Sequence, residues 1–521
     1  MYRNGKILVG KNNDKEMCII PKMANRHGLI TGASGSGKTV TLKVLAESFS
    51  NAGIPVFMVD VKGDLAATCK VGVESENISS RVEKLGLEDW SYKKFPVTFF
   101  DVFGKNGHPI RTTVTSIGHR LLSKMLGLSE VQDGVLAIVY KIAKDEGKSL
   151  DDLEDLDSML KSVGNKRVEY SNKYGNISQQ SLTTIQRNVL ELMEDGASIF
   201  FGKPSFEIRD FIRFDNETGY GYINILDAQD LFKSPTSYVI MILWLLNSLY
   251  DTMPEVGDLD KPKLVFFFDE AHLIFKEMPK EIVDHIIQVV KLIRSKGIGL
   301  YFISQTPSDI PDEILGQLGN RVQHVLRSYT KSDEKIVKAA ADSYRDNPEF
   351  DTFETIKTLK TGEALVSFQQ EDGSPSMVEK VTILPPQSLM GTITDDERKN
   401  VIVNSNLYMK YEEKVNERSA YEINEEENRV IEEKKKMEEE AKLIKEKEKE
   451  EERLRKEEEK KQKELEREEQ KRQRELEKEE RERERARKNN PAYKIGKKVV
   501  NKTADKMINK GLNAILKGLF K

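Results

Sequence analysis

The chain has 521 residues, 38% apolar and 33% charged, with 83 Lys and Arg against 87 Asp and Glu and a formal net charge of −4. This length exceeds one compact core and predicts two or three units, while the near-neutral balance neither requires nor excludes nucleic acid, since a basic channel can sit in a neutral protein. Cys18 and Cys69 are too few for a disulfide framework or a cysteine zinc site, which suits a reducing cytoplasm. No long apolar segment follows Met1–Lys6, so no leader is expected, and the most apolar run, Tyr238–Leu246, is too short to span a bilayer.

In residues 1–24, Lys6–Val9 and Met17–Ile20 flank the polar stretch Lys11–Lys15, a pattern for a β-hairpin. His27–Thr31 then reads as a buried strand. From Gly32 to Thr39 the chain runs GASGSGKT, and Val40, Leu42, Val44 and Leu45 continue as a packed helix. Strand, glycine loop and helix together form a cradle for nucleotide phosphates. Gly32, Gly35 and Gly37 let backbone N–H groups turn inward, and the positive end of the helix points at the same place. The expected binding set is Gly32, Ala33, Ser34, Gly35, Ser36, Gly37, Lys38, Thr39 and Val40. Lys38 would reach the β- and γ-phosphates, and the Thr39 hydroxyl would hold Mg²⁺.

Ile54–Val59 is a second strand, ending in Asp60 and followed by Lys62 and Asp64. Those charges either support a ligand at the sheet edge or are ordinary loop charges. Val97–Val102 repeats the strand pattern. From about 113 to 201 the period becomes helical, with Leu121, Leu122, Met125 and Leu126, then Val135, Leu136, Ile138 and Val139, which predicts a helical insertion. Tyr222–Leu226 is strand-like, and Pro235 opens an apolar helix where proline is tolerated.

Lys263–His272 reads KLVFFFDEAH, an apolar strand ending in two acids. Hydrolysis of a phosphoanhydride needs one carboxylate for metal and another for the attacking water, so Asp269 is expected beside Mg²⁺ and Glu270 beside the nucleophile. A helix over Pro279–Lys296 carries Arg294 near its end. The strand Gly299–Ser304 delivers Gln305, a neutral donor and acceptor, to the sheet edge. Arg321–Arg327 is a further short strand. Gly362–Phe368 is expected to pair with Met377–Leu384, and Pro385 and Pro386 close the globular part.

Beyond Thr392 the chain becomes a polyampholyte, and Glu425–Lys488 predicts a long solvated helix rich in i, i+4 charge pairs. Leu443, Leu454, Leu465 and Leu476 recur every eleven residues, which favours an isolated helix or weak self-association over a stable coiled coil. In Lys494–Lys521, apolar residues alternate with lysines as a basic amphipathic element. Membrane surface, nucleic acid, a partner groove and a face of its own oligomer all stay open as its target.

With these motifs in place, residues 1 to about 390 resemble the HerA/FtsK superfamily of P-loop ATPases, in particular its HerA-like, YjgR-type branch. The stretches HGLITGASGSGKTVTLKVLAESF, VDVKGDL, KPKLVFFFDEAHLIF, LIRSKGIGLYFISQTP and ILGQLGNRVQHVLR carry the resemblance. It implies a RecA-like core, a homo-oligomeric ring that is usually a hexamer, ATP hydrolysis at subunit interfaces, and a DNA helicase or translocase. In the family an arginine in the helix before the glutamine strand acts on the neighbouring subunit's nucleotide. That position matches Arg294, with Arg321 and Arg327 in reserve, and Gln305 matches the sensor glutamine. The string Asp269–His272 also suggests a DEAH-box helicase, but no second RecA-like domain follows Arg327. A reading from a different class is a nucleotide-switched assembly protein that organises a protein or membrane partner without moving nucleic acid.

The expected fold class is therefore α/β. A RecA-like P-loop NTPase domain over 25–390, with its helical insertion, precedes a charged helical tail over 391–490 and the basic segment 491–521.

Overall fold

The computed structural model describes residues 1–489, apart from positions 14, 277 and 279. The basic segment 491–521 lies outside the described residues. Two compact units divide the chain, Met1–Glu426 and the part from Glu427 onward.

The first unit is built on one sheet. Its strands are β1 Tyr2–Arg3, β2 Lys6–Asn12, β3 Lys15–Ile19, β4 Gly28–Thr31, β5 Val56–Asp60, β6 Val97–Asp101, β7 His108–Pro109, β8 Ile223–Asp227, β9 Leu264–Phe268, β10 Ile298–Ser304, β11 Asn320–Gln323, β12 Glu363–Ser367 and β13 Glu379–Ile383. Their spatial order is β1-β2-β13-β12-β11-β4-β10-β9-β5-β8-β6-β7, with β3 on β2. From β11 through β7 all neighbours are parallel. The pairs β11·β12, β12·β13, β13·β2, β2·β1 and β2·β3 are antiparallel, so the expected hairpin of residues 1–24 extends the sheet through β13.

Parallel strands with helices over both faces are buried on both sides, which is why LVFFF and VFMVD read as unbroken apolar runs. The side chains still alternate. Phe57, Val59, Phe266, Phe268, Leu300 and Phe302 enter one core; Val56, Met58, Val265, Phe267, Tyr301 and Ile303 enter the other.

The second of these cores is closed by α1 Lys38–Asn51 through Leu42, Leu45, Ala46 and Phe49. Over α1 itself lies α2 Glu76–Lys84, whose N-cap Ser75 accepts from Ile78 N and whose Val82 joins Val40 and Val44 in a separate small cluster. The other core holds the insertion, which comprises α3 Val114–Met125, α4 Glu130–Asp145, α5 Leu153–Asn165, α6 Arg167–Tyr174 and α7 Gln179–Glu194. It also takes α8 Pro235–Thr252, the apolar helix opened by Pro235, and α9 His272–Lys276 and α10 Lys280–Ile293. The short α11 Asp312–Leu315 precedes β11, and α12 Lys331–Asp342 and α13 Thr352–Thr358 form a satellite core beside β12. No helix among the described residues is long and apolar enough to cross a membrane.

The expected end of the ATPase domain at 390 falls inside the first unit, which continues to Glu426. Residues 385–426 are strapped across it. Glu47, buried on α1, accepts from the backbone of Gln387 at 2.7 Å and Ser388 at 3.1 Å, and Lys43 donates to the Leu389 carbonyl. Helix α14 Asp395–Val403 lays Arg398 4.7 Å over the Phe99 ring. Tyr411 is buried 4.8 Å from Phe206 and donates to Asp210. Buried Asp155 of α5 then accepts from Ser419 Oγ and from Tyr421 N at the start of α15, Ala420–Asn489. Most of α15 belongs to the second unit, where Leu443, Leu454, Leu465 and Leu476 are all exposed.

Candidate functional site

Register aligns the motifs. Thr31 at the end of β4 lies level with Ser304 of β10 and Gln323 of β11, and Phe302 is level with Phe268 of β9. The loop after β4, the two acids after β9 and Gln305 after β10 therefore leave the sheet along one edge, the position at which parallel α/β sheets collect ligands.

The glycine loop is tied to both neighbouring strands. Gly32 N donates to the Gln305 carbonyl at 3.2 Å and Ala33 N to that of Val325 at 2.8 Å. Gly32 has φ +153°, and a Cβ there would stand 2.5 Å from His324 Cβ, so only glycine fits. Helix α1 begins after Gly37 with no side-chain cap, which leaves the first-turn N–H groups of Lys38, Thr39 and Val40 turned to the cradle. Ser36 Oγ is buried without a partner. Lys38 Nζ donates to the carbonyls of Gly32 at 2.6 Å and Ala33 at 3.1 Å. Burial pushes its ammonium below the usual lysine range, while Glu270 and Asp269 pull it back up. Uncapped N–H groups, an unpartnered hydroxyl and a lysine fit a phosphate chain.

Both acids after β9 are half-buried. Burial raises Asp269 above the ordinary carboxylate range, and Lys62 opposes. Its Oδ1 accepts from Glu270 N at 2.9 Å, and Glu270 takes a left-handed φ of +50°, uncommon for a residue with a side chain. Glu270 Oε1 accepts from Lys62 Nζ at 2.9 Å, and His272 Nδ1 lies 3.3 Å from Oε2. Lys62 is placed by Asp60, whose carboxylate accepts from Gly63 N at 2.7 Å and Leu65 N at 3.1 Å and so shapes the turn. Burial and neighbouring Asp64 push Asp60 up to about 6. Asp269 and the Thr39 hydroxyl are hard oxygen donors that suit Mg²⁺, an ion that usually keeps waters and substrate phosphate oxygens. Among the described residues no group of three or more His, Cys, Asp or Glu could hold a metal without such ligands.

His324 escaped the sequence reading. Its Nδ1–H donates to the Glu363 carbonyl at 3.0 Å, so Nε2 accepts from Thr41 Oγ1 at 2.8 Å, bracing α1 and the floor of the loop. Burial holds its imidazolium down to about 4. No motif marks such a residue; it is found only when β11 pairs with β4.

Gln305 stands exposed beside the loop. Arg294 does not join this group. It follows α10, at the opposite end of β10, a strand of seven residues and about 23 Å. Burial and then Arg26 lower its guanidinium, with Asp258 opposing. Of the reserves, Arg321 is committed to the carbonyls of Leu318, Leu315 and Ser343 at 2.9–3.1 Å, whereas Arg327 is exposed.

This fold and edge define a P-loop ATPase. The sequence profile of the family described as Helicase HerA-like C-terminal matches residues 6–518, and the chain belongs to that family of ATP-driven motors. The DNA double-strand break repair helicase HerA of Sulfurisphaera tokodaii is 24% identical over 383 residues, covering 70% of this chain and 67% of the relative. The probable helicase MJECL08 of Methanocaldococcus jannaschii is 23% identical over 410 residues, 70% of this chain and 69% of the relative. The chain thus spans about two thirds of these relatives. Among solved structures, the bacterial conjugative coupling protein TrwBdeltaN70 is 14% identical at a TM-score of 0.48, over 76% of this chain and 92% of that one. VirB4 of Thermoanaerobacter pseudethanolicus is 15% identical at 0.47, over 74% and 97%.

Proposed function

We propose that the chain is a ring-forming, ATP-hydrolysing motor that moves DNA, with Lys38, Thr39, Asp269, Glu270 and Gln305 acting in one subunit and Arg294 acting on its neighbour. Family membership and the naming of related chains as helicases support the DNA half of this reading. One observation supports the division between subunits. Five of the residues line one sheet edge, and Arg294 lies a full strand length away at the other end of β10.

In this reading Lys38 exchanges the Gly32 and Ala33 carbonyls for phosphate oxygens. Thr39 and Asp269 would hold Mg²⁺, which when bound would supply positive charge to offset that of the phosphates. Glu270, oriented by Lys62, accepts the proton of the attacking water, and Gln305 orients that water. A guanidinium from the next subunit stabilises charge on the γ-oxygens.

Lys38→Ala or Glu270→Gln should abolish Mg²⁺-dependent hydrolysis with the circular dichroism spectrum unchanged; normal turnover in both removes the assignment. DNA should stimulate turnover and bind at low salt. Stimulation by a protein or by liposomes in place of DNA would favour the assembly reading.

A further inference from the structure

Beside the glycine loop, on the side away from β9 and β10, lies a guanidinium that the roles above leave unused. Arg81 belongs to α2, and Val82, Leu85 and Leu87 of the same segment pack with Val40 and Val44 over the first turns of α1. The side chain rests on Gly362. A Cβ at Gly362 would stand 2.5 Å from both Arg81 Nη atoms, and Gly362 has φ +84°, so glycine both allows the turn and admits the guanidinium. Gly362 in turn touches the cradle. Its N–H donates to the Ser36 carbonyl at 3.3 Å, and a Cβ on Gly37 would lie 3.4 Å from its nitrogen.

Arg81 has no side-chain hydrogen bond or ion pair among the described residues. Two half-buried arginines of the same unit show what satisfaction looks like: Arg213 donates to the Asp210 carbonyl, Asn406 and Thr98, and Arg321 to three carbonyls. The acid nearest in charge, Glu363, is already engaged by Lys360 N at 2.9 Å and Lys380 Nζ at 3.2 Å. Burial accordingly pushes the Arg81 guanidinium below its usual range. A half-buried cation without a counter-charge costs stability unless an anion completes it.

Sheet order says which part of the substrate comes near. Strands β10 and β9, carrying Gln305, Asp269 and Glu270, lie on one side of β4; β11 and β12, leading to Gly362, lie on the other. A phosphate chain seated in the loop with its γ-end at the acids directs its α-phosphate and nucleoside towards Gly362.

We infer that Arg81 binds the nucleotide in cis, its guanidinium reaching the α-phosphate across Gly362. This rests on the P-loop reading, and the test separates the two. Wild type, Lys38→Ala, Arg81→Ala and Arg81→Lys chains are titrated with ADP, ATP and pyrophosphate. A charge-assisted hydrogen bond predicts that Arg81→Ala weakens ADP and ATP alike by about 10- to 100-fold. Arg81→Lys should lose less. Pyrophosphate, which fills only the cradle, should bind wild type and Arg81→Ala equally, and the loss in turnover should appear in KM more than in kcat. Without nucleotide, Arg81→Ala should melt no lower than wild type, because an uncompensated charge has gone. Unchanged ADP affinity in Arg81→Ala, an equal loss for pyrophosphate, or a lowered nucleotide-free melting point overturns the role of Arg81. Absence of nucleotide binding by wild type overturns the P-loop reading and this inference with it.

Discussion

His324 shows how much of the site depends on a residue without a motif. It is neutral in the fold, with burial holding its imidazolium at about 4 from an ordinary 6.5, and His27 and His285 are held down in the same way. Between those values the unfolded chain binds more protons. Each histidine therefore contributes stability that is fully present above pH 6.5 and lost as pH falls towards 4. Asp60, raised from 3.8 to about 6, has the opposite sign: its contribution is present below 3.8 and lost as pH rises through 6. Asp269, Asp155, Asp227 and Glu47 are raised by burial and share the sign of Asp60, so the histidine contribution is read by comparing urea midpoints between pH 6.5 and 4 in wild type and in a histidine variant. His324→Asn, less stable at pH 7, should close its gap to wild type over that interval; curves parallel to wild type would contradict this account. The residues that the sequence proposes for the site, Lys38, Thr39, Asp269 and Glu270, are those whose chemistry fixes their spacing along the chain, and the sheet register brings them to one edge. His324 and Arg81 meet partners 39 and 281 positions away, Glu363 and Gly362, and no local pattern records such distances; Lys62 could be marked as a sheet-edge charge, but not its pairing with Glu270.

At the level of elements, the strands were legible because burial on both faces leaves a continuous apolar run, and the insertion because its helices keep a 3.6-residue period. The strap over 385–426 was not. Leu407, Tyr411 and Ala420 are buried but keep no sustained helix or strand period, so the pattern reads as tail where packing makes it part of the first unit. Tyr411 is one of its buried anchors, through Phe206 and Asp210. Tyr411→Ala should cost about 3 kcal/mol in urea unfolding, the scale of a large aromatic truncation in a core. A chain ending at Glu426 should keep the hydrolysis rate of the full chain, and one ending at 390 should lose stability as the surface around Phe206 and Phe211 is exposed. Equal melting points for the two truncated chains would show that the strap contributes nothing.

Over the whole molecule, the order β11-β4-β10-β9 converts motifs scattered between Gly32 and Gln305 into one edge, and the same order carries Arg294 to the other end of the sheet. Within a single subunit Arg294 cannot stabilise the γ-phosphate at that edge. In the ring proposed above the neighbouring subunit would supply it, a position in which guanidiniums of other NTPases raise turnover by about 10³ to 10⁵. The measurement that tests this most directly mixes Arg294→Ala with Lys38→Ala chains, each inactive alone, under conditions of demonstrated subunit exchange. The account predicts that hydrolysis partly returns, because some interfaces then join an intact loop to an intact Arg294. Near-normal hydrolysis by Arg294→Ala alone, or mixed rings that stay inactive, would contradict it.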